Sequence, residues 1–191
     1  DHRRRPRPVR RAVGADVTSF GVGDRVAWAM HPGSYATEVV VNAGGVIRVP
    51  ADVDLRVAAA VSLQGMTAHY LARSIVPLGE GDTAVVHAGA GGVGLLLTQV
   101  LRDLGIRVFT TVSTSDKAEL SRAAGAEQVF GYDDLVEGVR AATDGAGATI
   151  VFDGVGASTF EASLDALRVR GTMVLFGASS GPVSSIDPQI L

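Results

Sequence analysis

Thr83-Ala84-Val85-Val86-His87-Ala88-Gly89-Ala90-Gly91-Gly92-Val93-Gly94 is the stretch whose reading decides the fold. Its first half is a continuous, mostly apolar run, as expected of a strand buried on both faces of a parallel sheet. Its second half is a G-x-G-x-x-G, read at Gly89, Gly91 and Gly94, and the residues from Gly91 to Leu104 read as a helix. A lone G-x-G-x-x-G is a weak signal in a chain with 24 glycines. Here it follows a strand and opens a helix, which is the context dinucleotide chemistry needs. The first glycine makes the tight turn, the second lets backbone approach a pyrophosphate, and the third lets the helix pack close to the strand. The helix N-terminus then offers unpaired N–H groups and a positive dipole end to the phosphates. The competing reading is a tight strand-to-helix turn without a ligand.

Outward from this joint, strands and helices alternate. Arg107–Val112, Gln128–Phe130, Thr149–Phe152 and Thr172–Phe176 read as further strands. Helices are expected around Asp116–Ala124, Leu135–Thr143 and Thr159–Leu167. Elements alternating at this length imply right-handed βαβ units and a doubly wound α/β sheet. A dinucleotide-binding sheet often adds a sixth strand, which falls outside the five read here. Upstream, Arg25–Ala29 and Thr37–Val41 are short β-type runs between glycine-rich turns. Asp52 or Asp54 then caps an alanine-rich helical stretch to about Arg73. This first third reads as half of a small β domain leading into a connecting helix.

The chain has 191 residues, one domain or one domain plus part of another at roughly 100–200 residues per domain. Apolar residues make up 47% and charged residues 19%, enough for a core and too apolar for intrinsic disorder. Cysteine is absent, which excludes a disulfide framework, a thiolate metal site and a cysteine nucleophile. No apolar run approaches the ~18–20 residues of a membrane span, and the basic start leads into no apolar segment, so a cytoplasmic protein without a membrane partner is the expectation. The net charge is −3, but six arginines crowd the first eleven residues. The nucleic-acid reading rests on that arm alone; the competing reading is a disordered or artefactual terminus.

The end of the second strand bears on which dinucleotide. An NAD site usually places Asp or Glu about 20 residues beyond the glycines, to hold the ribose 2′-hydroxyl. Here the strand ends Val112-Ser113-Thr114-Ser115, with no acid before Asp116. Hydroxyls and the chain's single lysine, Lys117, suit a 2′-phosphate better. Lys117 also reads as a solvated lysine on a first helical turn.

Several further motifs occur in order. They are Gly23-Asp24-Arg25-Val26-Ala27, Gly33-Ser34-Tyr35-Ala36, Leu63-Gln64-Gly65-Met66-Thr67-Ala68-His69-Tyr70-Leu71, Phe152-Asp153-Gly154-Val155-Gly156 and Leu175-Phe176-Gly177-Ala178-Ser179-Ser180-Gly181. With these and the glycine turn, residues 13–191 resemble the zinc-independent quinone oxidoreductases, the zeta-crystallin-like branch of the medium-chain dehydrogenase/reductase superfamily. The resemblance implies a partial GroES-like β domain over residues 13–62 and a Rossmann-type NADPH-binding domain with its connecting helix over 63–191. Residues 1–12 would be a disordered basic arm. It implies NADPH as cofactor and hydride transfer to a small-molecule quinone or related conjugated carbonyl. Alternatives are an enoyl or enone reductase of the same superfamily and a non-catalytic NADPH-binding protein. A homodimer is implied for a full-length relative.

The resemblance also implies roles. Ala90, Gly91, Gly92 and Val93, between Gly89 and Gly94, would cradle the pyrophosphate. Ser113, Lys117 and Tyr132 would surround the 2′-phosphate. Val155, Phe176, Gly177, Ala178 and Ser179 would line the ribose and nicotinamide, with Thr67 below the nicotinamide. Periodicity alone reads Thr67, Val155 and Phe176 as core, and Tyr132 alone is an ordinary loop aromatic. Residues 1–12 match no part of the family's upstream β segment, so the resemblance implies a chain lacking family segments at both ends. No catalytic side chain is nominated. Metal ligation is not expected, because cysteine is absent and His2, His31, His69 and His87 show no ligand spacing. His87, inside the buried strand, reads as a hydrogen-bonded core histidine. There is no G-x-S-x-G elbow for a serine hydrolase.

Overall fold

The computed structural model describes residues 12–187 and Gln189, so the expected basic arm lies, apart from Ala12, outside the described residues. The chain divides into two compact units, with the division between Met66 and Thr67. In the first unit, strand β1 (Val26–Trp28) pairs antiparallel with β2 (Val46–Arg48), Ala27 opposite Ile47. A small core of Ala27, Val49 and Ala58 forms beside them, with Val53 and Leu55 packed against it. The Arg25 guanidinium holds the turn that follows, donating to the carbonyls of Pro50 (2.7 Å), Ala51 (2.6 Å) and Val53. Asp54 caps helix α1 (Leu55–Ser74): its carboxylate accepts from the Arg56 N–H at 2.7 Å and its carbonyl from the Ala58 N–H.

The run Thr37–Val41, read from sequence as a strand, is not one. β1 takes Val46–Arg48 as its partner instead, and Val40 stands 91% exposed. A β-branched run becomes a strand only where a neighbouring backbone completes its ladder and a surface covers one face.

The second unit holds five parallel strands in the order β5-β4-β3-β6-β7. These are β3 (Thr83–Val86), β4 (Arg107–Thr111), β5 (Gln128–Phe130), β6 (Ala148–Asp153) and β7 (Leu167–Leu175). The helices between them are α2 (Gly92–Asp103), α3 (Ser115–Ala124), α4 (Leu135–Ala142) and α5 (Phe160–Asp165). Alternate strand residues point to opposite faces, and each face has its own core. Ala84, Val86, Ile150 and Phe152 meet Ala68, Leu71 and Ala72 of α1 and Leu97 and Leu101 of α2. Val85, Phe109 and Val151 meet Leu135 and Val139 of α4. This is the doubly wound α/β sheet expected from the alternation.

The chain lays β4 and β5 on one side of β3, then returns to lay β6 and β7 on the other. Beyond the strand C-termini this reversal opens a crevice, the usual ligand position in such sheets. The last strand departs from its expected bounds. α5 ends at Asp165 and β7 begins at Leu167, where helix was expected to persist and strand to begin at Thr172. The register shifts between the pairs Ala148–Leu167 and Ile150–Thr172, so the residues between bulge, with Arg170 at φ 62° and Val169 exposed. Arg140 fastens this corner, donating to the carbonyls of Gly145, Ala146, Asp165 and Leu167 at 2.9–3.1 Å. No described helix is long and apolar enough to cross a membrane.

Candidate functional site

The glycine turn joins β3 to α2 at the centre of the sheet. Gly89 was expected to supply the tight turn, but the left-handed residue there is Ala88, at φ 51°. Gly89 is required for space instead. A Cβ on it would lie 2.5 Å from the Thr110 Cβ and 2.8 Å from the Ser121 Oγ. Gly94 is required by close approach of helix to strand: its Cβ would lie 2.4 Å from the Ala88 carbonyl oxygen and 2.9 Å from the Gly89 Cα. Gly91 is the N-cap of α2, in extended conformation, and no side chain caps the helix. Gly91 and Gly92 are exposed, Ala90 and Val93 half-buried. The first turn of α2 therefore presents backbone N–H groups that side chains leave open, at the central crevice.

At the C-terminal end of β4, a recess of about 310 Å³ is lined by Val112, Ser113, Thr114, Ser115, Ala118, Val129, Phe130 and Gly131. No acid is among these lining residues. Lys117 extends its ammonium to the rim, where Nζ donates to the Ser113 Oγ at 2.9 Å. Thr114 caps α3 by accepting from the Lys117 N–H at 3.3 Å. Tyr132 is not among the lining residues. Its ring stacks on His87, with centroids 5.9 Å apart and planes 2° from parallel.

Across the crevice, β6 ends in Asp153, which is wholly buried. Its Oδ1 accepts from the N–H groups of Val155 (2.8 Å) and Gly156 (2.9 Å). Its Oδ2 accepts from the hydroxyls of Thr159 and Ser163, both at 2.8 Å. Burial alone would push the Asp153 carboxyl up, but these bonds and the nearby His87 hold it below the ordinary carboxylate range. His87 is 2% exposed, with Nδ1 2.8 Å from the Thr111 Oγ1 and Nε2 2.9 Å from the Ser163 Oγ. It is thus the hydrogen-bonded core histidine expected from its strand. Burial lowers its pKa, and the attraction of Asp153 offsets only part of this.

Val155 and Gly177–Ser179 come together at this end. The Ser179 and Ser180 N–H groups donate to the carbonyls of Gly154 and Val155, and the Ala157 N–H to that of Gly181. A Cβ on Gly177 would lie 2.7 Å from the Gly154 carbonyl oxygen, so the two segments touch backbone to backbone. Phe176 packs against the core face that includes Val86 and Phe152. Ala68, next to the half-buried Thr67, lies in the same cluster. The sequence reading missed Asp153, Thr159 and Ser163. One signal was available: a lone carboxylate ending an apolar strand before Gly-Val-Gly is a natural cap for the following turn.

Residues 92–191 match the family described as zinc-binding dehydrogenase. A quinone oxidoreductase of Pseudomonas aeruginosa is 42% identical over 94% of this chain and 56% of its own length. A 2-haloacrylate reductase of Burkholderia is 40% identical over 91% of this chain and 54% of its own. A mycobacterial protein solved in complex with NADPH superposes with a TM-score of 0.89 at 51% identity, covering 95% of this chain and 58% of that one. The chain thus spans a little over half the length of the relatives it matches.

Proposed function

The chain belongs to the zinc-binding dehydrogenase family, and from that premise we propose that it binds NADPH across the crevice and serves hydride transfer to a quinone or related conjugated carbonyl. The observation that carries the cofactor reading is the Lys117 ammonium on Ser113, at the rim of a recess whose lining holds no acid. A carboxylate there would repel a 2′-phosphate and favour the free ribose hydroxyl. The glycine turn fits the pyrophosphate: Ala90–Val93 offer backbone at the open start of α2, with Gly89 and Gly94 bringing helix and strand close together. Tyr132, stacked beside this turn, completes the adenosine side. On the other side of the switch point, Val155 and Phe176–Ser179 line the ribose and nicotinamide, with Thr67 beneath.

NADPH supplies the hydride when bound. The residues of this chain bind the two phosphate-bearing ends, orient the nicotinamide and keep water from it. Zinc does not fit. The chain has no cysteine, and among the described residues no three His, Asp or Glu side chains gather as ligands. The 40% identity to a 2-haloacrylate reductase supports keeping the acceptor class at conjugated carbonyls rather than quinones alone. On this reading residues 13–62 are part of a GroES-like domain, the compartment is the cytoplasm, and a homodimer is the assembly of a full-length relative.

Titration of the 191-residue chain with NADPH and NADH, read by nicotinamide fluorescence, tests the binding. NADPH is expected to bind at least tenfold more tightly. Equal affinities overturn the 2′-phosphate site, and saturable binding of neither overturns the cofactor reading.

A further inference from the structure

Asp153, Ser163 and His87 form a buried chain of polar groups that the cofactor reading leaves without a task. Their protons can be assigned from the bonds they make. Ser163 has one hydroxyl proton and donates it to the Asp153 Oδ2. The 2.9 Å contact between Ser163 and His87 must therefore be donated by the His87 Nε2–H. A neutral imidazole then has a bare Nδ1, which accepts from the Thr111 hydroxyl at 2.8 Å. Every member is satisfied in one direction: Thr111 to His87, His87 to Ser163, Ser163 to Asp153.

We propose that this chain is a positioning device for the nicotinamide end of the crevice, with Asp153, Ser163 and His87 as positioning residues. The inference rests on the NADPH reading and deepens it. With the adenosine end in the recess beyond β4, an extended dinucleotide lays its other half beyond β6 and β7. The backbone there is irregular and depends on Asp153. Its Oδ1 fixes Val155 and Gly156. That turn in turn holds the loop 177–181 through Gly154, Val155 and Ala157, and through the Ser180 hydroxyl, which donates to the Val155 carbonyl and accepts from the Ser158 N–H. The other end of the chain is His87, one residue before Ala88, where the glycine turn begins. The bonds thus set the nicotinamide turn against the phosphate turn, and with the Ser163 link broken His87 keeps Thr111 and the Tyr132 ring, so the adenosine side retains its contacts.

The test compares two ligands on the 191-residue chain. NADPH reaches both ends of the crevice, while 2′,5′-ADP carries the 2′-phosphate and adenosine without nicotinamide. Ser163→Ala breaks the link between His87 and Asp153, and Thr159→Val removes the other hydroxyl from the Asp153 Oδ2. The expected result is a loss of at least fivefold in NADPH affinity with 2′,5′-ADP within twofold of wild type. Equal losses for both ligands overturn the proposal, because the network then serves only the fold. NADPH affinity unchanged in both variants also overturns it. Should Ser163→Ala fail to fold by circular dichroism, Thr159→Val decides by the same criteria. A wild-type chain that binds neither ligand overturns the underlying NADPH reading and, with it, this inference.

Discussion

NADPH and NADH differ by one phosphate, so a protein that distinguishes them must do so with the few groups that reach it. Lys117 is the candidate, and its variant is clean. The α3 cap uses its backbone N–H, so Lys117→Ala keeps the cap while removing the ammonium from Ser113. A charge-assisted hydrogen bond is typically worth ~1.5–3 kcal/mol. Both partners are exposed here, which argues for the low end, about tenfold in NADPH affinity. NADH should stay within a small factor. Arg107 cannot substitute, since it begins β4 at the opposite end and is paired with Glu127 at 2.7 Å. Titrating both cofactors into the variant checks this, and equal losses would assign Lys117 to the fold. His87 carries a second expectation. Its folded pKa lies below the ordinary ~6.5 because it is buried. As pH falls through about 6.5 the unfolded chain takes up the proton first, so stability present above that pH is lost toward the lower folded value. Asp153, held below its ordinary range, adds a further loss as pH drops below about 4. Denaturant midpoints at pH 7.5 and 5.5 should fall in wild type and differ less in His87→Gln. An equal fall in both would remove His87 as the cause.

At the level of the β3–α2 joint, two glycines fail for different reasons when replaced. Gly94→Ala places a methyl 2.4 Å from a carbonyl oxygen and 2.9 Å from another backbone atom. Neither obstacle can rotate away, so the helix must shift, at a cost of roughly 1–3 kcal/mol or more. Gly91 has ordinary extended angles, and its Cβ would stand 3.1 Å from the Ala88 oxygen. Gly91→Ala should therefore keep its melting temperature within a few degrees yet lose NADPH affinity, because on the proposed reading the methyl would sit where phosphate approaches. Thermal melts beside NADPH titrations separate the two; matching behaviour would refute the division of labour. The joint itself was legible in sequence because a strand buried on both faces is continuously apolar and glycine marks close approach. That Ala88 and not Gly89 takes the left-handed angle was not legible, since the demand on Gly89 comes from Thr110 and Ser121 on other elements. The β7 bulge was hidden likewise, because the early strand start that precedes it is held at Asp165 and Leu167 by Arg140, which reaches across from α4. Thr37–Val41 has strand-like composition but no partner ladder, and composition alone cannot report a partner. Least visible was the chain from His87 to Asp153, whose Ser163 lies 76 positions from His87.

Across the whole molecule, the two units are unequally built. The first has a core of Ala27, Val49 and Ala58 with two partners, and it leaves Met30, Tyr35 and Val40 largely exposed. The second buries Leu71, Leu97, Leu101, Phe109, Leu135, Ile150 and Phe152 almost completely, on two faces of one sheet. Each such side chain contributes about 1.5–3 kcal/mol on burial, and an alanine far less. The first unit should therefore open at lower denaturant than the second, in two transitions rather than one. The chain's only tryptophan, Trp28, lies in β1 with its indole N–H on the Ser34 hydroxyl, so tryptophan fluorescence reports the first unit. Far-UV circular dichroism is dominated by the helices of the second. The fluorescence midpoint should precede the dichroism midpoint. The residues assigned to the adenosine end of the dinucleotide all lie in the second unit. A ligand present at a hundred times its Kd stabilises what it binds by about 2.7 kcal/mol. Adding 2′,5′-ADP, which leaves tryptophan emission clear, should then raise the dichroism midpoint and leave the fluorescence midpoint in place. Coincident transitions moved together by the ligand would show instead that the two units unfold as one, and that the small core of the first is stabilised by the second.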